Sequence, residues 1–78
     1  MNARTAATIA AYADCFKGSV RYLGTLGTRR IGELVGSSPM SCDHAYSATW
    51  WAMSDGTIAS CHDVTDEVTV YNVDWREW

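Results

Sequence analysis

Residues 45–61 read AYSATWWAMSDGTIASC, and this segment decides the fold because two apolar, alternating stretches flank Asp55-Gly56. Asp-Gly accommodates the positive φ that tight turns require, so the stretch predicts a β-hairpin with strands over 45–53 and 57–61. Successive strand side chains point to opposite faces, so the adjacent Trp50 and Trp51 cannot share one core. The strands join around Ser54-Asp55-Gly56, and a turn centred on Asp55-Gly56 places Tyr46, Ala48, Trp50 and Ala52 on one face together with Ala59 and Cys61. That apolar set is the expected core. Ser47, Thr49, Trp51 and Met53 make a mixed face with Ile58 and Ser60 opposite, which nominates Trp51 as an exposed anchor for a protein partner. In the alternative reading the segment DWREW, residues 74–78, folds back and covers Trp51 with Trp75 or Trp78.

Outward from the hairpin, Ala-rich residues 3–16 predict an amphipathic helix with Asn2 as N-cap, Gly18 just past its end, and Ile9, Ala13 and Phe16 on one face. A short strand over 19–23 follows, broken by GTLGT at 24–28. TRRIGELV at 28–35 reads as a short helix capped by Thr28, with a strand as the alternative, although internal Gly32 costs about 1 kcal/mol relative to Ala. GSSPMSCD at 36–43 reads as a loop and HDVTD at 62–66 as a connection. Residues 67–75 read as the last strand, with a bulge near Tyr71 reconciling two parities of apolar residues. This order predicts one α+β domain over 1–78: an N-terminal helix and a short second helix packed on one face of a small antiparallel sheet of three to four strands.

Composition narrows the function. At 78 residues the chain has one small core, and four Trp and four Tyr supply much of its apolar area. It contains no apolar run of about 20 residues and no signal-peptide core, so a cytoplasmic protein is expected. Three cysteines, Cys15, Cys42 and Cys61, argue against a disulfide scaffold. Cys42, His44, Cys61 and His62 have the chemistry of zinc ligands or of a thiol and its base. Their spacing lacks the two-residue gaps of zinc fingers, and no oxyanion-hole or nucleophile-elbow sequence flanks them. GTLGT lacks the ending of a phosphate loop. The reading is therefore a protein without catalytic residues, metal or cofactor.

The net charge of −3 divides unevenly: residues 1–39 hold five basic and two acidic side chains, residues 40–78 one basic and seven acidic. Few cations in an acidic protein argue against direct nucleic-acid binding, which rests on neutralising many phosphates. Asp63, Asp66, Glu67, Asp74 and Glu77 instead suggest a negative surface that competes for a basic groove on a protein partner, with Trp51 and Trp78 as anchors.

The segment ADCFKGSVR, residues 13–21, resembles a Cys-Phe-x-Gly-Ser/Thr-Val stretch that joins a helix to a strand in an anti-CRISPR protein. The match covers nine of 78 residues. The short chain, its charge polarity and its aromatic content are similar to those of small phage-encoded inhibitors in general. The resemblance implies a non-catalytic protein that binds a subunit of a bacterial CRISPR effector complex and blocks target-DNA binding or cleavage. Only Arg21 stands where the resembled protein carries basic residues after the motif, so no contact residue is carried over.

Overall fold

A computed structural model of the chain describes residues 20–25 and 27–77. Five strands, β1 (Val20–Gly24), β2 (Pro39–Ala45), β3 (Ala48–Met53), β4 (Ile58–His62) and β5 (Val68–Tyr71), form one antiparallel sheet in the order β1-β5-β4-β3-β2. The described helical structure is one five-residue α-helix, α1 (Ile31–Val35), and a three-residue 3-10 turn at Trp75–Glu77. The expected α+β class with three to four strands is thereby corrected to a five-stranded antiparallel sheet with very little helix among the described residues. The helix expected at 3–16 lies outside the described residues, as does most of the segment at 13–21.

The missing strand was hidden in the segment read as a loop. Pro39 opens β2, which is an edge strand, where the absent proline N–H need not serve a ladder on both sides. β2 turns into β3 through Tyr46-Ser47 alone, with Ala45 paired to Ala48 and φ of 53° and 59° at the two turn residues. Positive φ at both positions is the hallmark of a type I′ hairpin turn, usually written in Asn and Gly. Here a Tyr and a Ser adopt it, so the strand expected over 45–53 is two strands and a turn.

The β3–β4 turn joins the expected strand ends, but its centre differs from expectation, and the difference changes which side chains meet. Met53 N donates to Thr57 O (2.9 Å) and Gly56 N to Met53 O (3.0 Å), so the loop is the three residues Ser54-Asp55-Gly56, with Gly56 at φ 92°. The pairing is therefore centred on Asp55 and not on the Asp55-Gly56 pair, and this one-residue shift in register turns every β4 side chain to the other face relative to β3. Trp50 therefore pairs with Ser60 and Trp51 with Ala59. On the first face Trp50, Ala48, Ala52 and Ile58 form one buried cluster, with Ala45, Tyr71, Val73 and Trp75 against it. On the second face Met53, Ala59, Cys61, Val68, Val70 and Ile31 form another, flanked by Leu23, Leu34, Val35 and Trp51. The two tryptophans serve one apolar layer each.

Each layer has its own cover. β1 and β2 are opposite edges of the sheet, four strand spacings or about 19 Å apart. The connection between them holds α1, whose Ile31, Leu34 and Val35 close on the second face. The N-cap of α1 is Arg30, with φ 72° and no side-chain capping bond, so the expected cap by Thr28 is replaced by a backbone contact, Ile31 N to Thr28 O (3.4 Å). A Cβ on Gly32 would lie 3.0 Å from Ser37 O, so glycine here permits the close turn into β2.

The first face is covered by the C-terminal segment. β5 stops at Tyr71, not at residue 75, and the expected bulge is absent because the chain leaves the sheet and crosses its face. Trp75 fastens this crossing: its N–H donates to Gly56 O (2.9 Å) and its indole Nε1 to Met53 O (2.8 Å). Trp75 thus lies on the Trp50 layer and does not cover Trp51.

Candidate binding surface

The C-terminal crossing covers only the end of the first face near Ala52 and Ile58. Among the described residues the other end is a groove of about 470 Å³ lined by Tyr46, Ala48, Trp50, Ser60, His62, Thr65, Glu67, Thr69 and Tyr71. Strand geometry sets its floor: Ala48 and Trp50 from β3, Ser60 from β4, Thr69 and Tyr71 from β5 all point to this side. The Trp50 and Tyr71 rings lie 5.4 Å apart, tilted by 33°. Trp50 is fixed by its Nε1 bond to Ala45 O (3.0 Å), while Tyr46, raised on the β2–β3 turn, is 71% exposed at the rim.

The polar groups of the groove divide into those engaged and those available. His62 Nδ1 accepts the N–H of Val64 (3.2 Å) and of Thr65 (3.3 Å), so this imidazole organises the β4–β5 turn. The Thr65 hydroxyl accepts from Glu67 N (3.3 Å). The Glu67 carboxylate, half-buried, makes no ion pair or side-chain hydrogen bond among the described residues. Ser60 and Thr69, 6% and 8% exposed, likewise make no side-chain hydrogen bond there. No fully enclosed side-chain polar atom among the described residues lacks a partner, so both hydroxyls reach the groove.

The residues nominated from sequence scatter around this groove. Trp51 is half-buried against the second-face cluster, not fully exposed as expected. Asp63, Asp66 and Glu67 lie on the β4–β5 connection, and Asp74 and Glu77 lie by the β3–β4 loop at the opposite end of β4, so the five acids do not form one surface. Asp63 is bonded to His44 Nε2 at 2.5 Å. Asp74 receives Arg76 Nε and Nη2, both at 2.8 Å, and these bonds hold its carboxyl below the ordinary value while raising the guanidinium. Trp78 lies outside the described residues.

Cys42 and His44 point to the second face from β2 and Cys61 points there from β4, whereas His62 points to the first. Burial, and then the Asp66 and Asp63 carboxylates, push the Cys61 thiol up, which opposes thiolate chemistry. Among the described residues no group of three His, Cys, Asp or Glu side chains converges for a metal, and no helix is long and apolar enough to cross a membrane.

Sequence reasoning found Trp50, Glu67 and the apolar parity through Tyr46 and Ala48, but not the groove. That required the β3–β4 register, which brings Ser60 beside Trp50, and the departure of the chain after Tyr71. Compared with known protein families, with curated proteins and with solved structures, the chain matches none.

Proposed function

We propose that the chain is a non-catalytic binding protein acting in the bacterial cytoplasm, and that its partner is a subunit of a CRISPR effector complex whose nucleic-acid binding or cleavage it blocks. The observation that carries the binding role is the first face as the described residues form it: an aromatic groove with a carboxylate unpaired among them, beside the part of the face closed by the C-terminal segment. The similarity of residues 13–21 to an anti-CRISPR segment supports the choice of partner, and the acidic excess of residues 40–78, although divided between the two ends of β4, supports electrostatic attraction to a basic surface that otherwise meets phosphates.

A tagged chain incubated with lysate from a bacterium with an active CRISPR system should capture effector subunits. Added to the purified effector, it should reduce target-DNA binding or cleavage at stoichiometric ratios. An empty capture together with unimpaired cleavage would overturn the inhibitor reading in favour of a regulatory protein-interaction module.

A further inference from the structure

We propose that the first-face groove is a receptor for an arginine side chain presented by a basic protein partner. The inference rests on reading the chain as a protein-binding module, but not on the partner's identity. Its basis is the match between the groove's chemistry and a guanidinium. Among the described residues, Glu67 is the one carboxylate in the lining, no Lys or Arg lines the groove, and the carboxylate has no side-chain partner. A half-buried carboxylate without a partner favours a cation, and a planar guanidinium takes a carboxylate through two parallel N–H bonds.

The remaining N–H groups need acceptors, and the floor supplies them. Ser60 and Thr69 are more than nine-tenths buried, yet their hydroxyls reach the groove without a hydrogen bond among the described residues. Each has lone pairs to accept with. Aromatic walls complete the match, because a guanidinium stacks on ring faces through cation–π attraction. Tyr46 at the rim and Tyr71 on the floor stand on the same side of the sheet, with Trp50 beneath. His62 does not compete for this role, since its Nδ1 is occupied by the turn. A long side chain reaching down from a partner's surface suits an open groove, and the chain's net charge of −3 favours a basic approach.

The test is an amide-shift titration of the intact chain with N-acetyl-arginine amide, using N-acetyl-citrulline amide as the uncharged isostere. Arginine should give saturable shifts at Ser60, His62, Glu67 and Thr69 with a midpoint on the order of millimolar, an affinity of weak single-residue type. Citrulline should bind at least about tenfold more weakly, as should arginine to Glu67→Gln, since charge-assisted bonds are the strong ones. Tyr46→Asn, which removes the ring at a position whose positive φ Asn tolerates, should weaken binding several-fold without unfolding the chain.

No saturable shift up to roughly 50 mM, well above that midpoint, would overturn the proposal. Equal response to citrulline, or unchanged binding by both variants, would do the same. Saturable arginine binding alongside an empty effector capture removes the inhibitor reading and keeps the groove. Effector capture undiminished in Glu67→Gln keeps the inhibitor reading and removes the groove.

Discussion

At Tyr46 and Ser47 the backbone holds φ of 53° and 59°, a conformation that costs an L-residue roughly 1–2 kcal/mol. Ser47→Gly should therefore stabilise the fold by about 0.5–1 kcal/mol, set against the greater entropy of glycine in the unfolded chain, and urea titration would read the gain. The tryptophans should separate in the opposite sense. Trp50, 4% exposed and bonded through its indole to Ala45 O, should cost about 3–5 kcal/mol on replacement by Ala. Trp51→Ala should cost less, because the ring is only half-buried, but it should still lower the melting temperature, unlike the change expected of a free anchor.

Among the elements, the β3–β4 loop and the C-terminal crossing act as one unit. A Cβ on Gly56 would stand 2.5 Å from Asp74 Oδ1, at a φ of 92° that other residues rarely adopt. Gly56→Ala should cost at least about 1 kcal/mol and loosen the Trp75 indole, visible as a red shift of tryptophan emission together with a lower melting temperature. Two carboxylates make the same region sensitive to acid. Burial alone would raise Asp55, but the Thr57 hydroxyl and N–H bonds outweigh it and leave the group lowered; Asp74 is lowered chiefly by Arg76. Lowered folded values mean that the unfolded chain takes up these protons first. The stability they provide is complete above the ordinary carboxylate range and is lost as pH falls from about 4 toward the folded-state values. Melting curves should shift downward in that window, and Asp55→Asn with Asp74→Asn should flatten the shift. These elements also mark where the sequence was legible. Asp-Gly announced a turn and the Ala-Trp-Ala parity announced a buried face. The turn's centre did not show, because Asp-Gly fits a turn centred on Asp55 as well as one centred on the pair. β2 was masked by Pro39 and by a turn written in Tyr-Ser, and the groove is a product of register, which local sequence does not encode.

For the whole molecule, the order β1-β5-β4-β3-β2 places β4 at the centre, with the amides of β3, β4 and β5 each between two neighbours. Hydrogen exchange should be slowest in β4 and fastest in β1 and β2, which have a strand on one side only among the described residues. Equal protection across all five strands would contradict this gradient. The pairing of β1 with β5 joins residues about fifty positions apart, as Val20 with Tyr71 shows, whereas β2 to β5 form a run of local hairpins. The meander should be the first part of the sheet to form and β1 the last to dock. One detail of β2 bears on the behaviour of many copies together. An edge strand offers its backbone to any other chain, and polymerisation follows when the offer is accepted at both edges. Pro39 withholds a donor at the head of one edge, and a register irregularity lies between Pro39 and Ser41; the other edge is interrupted between Tyr22 and Gly24. Pro39→Val would supply the withheld donor. Its consequence should be read in light scattering at rising concentration, as particles growing strand by strand where the parent chain stays dispersed.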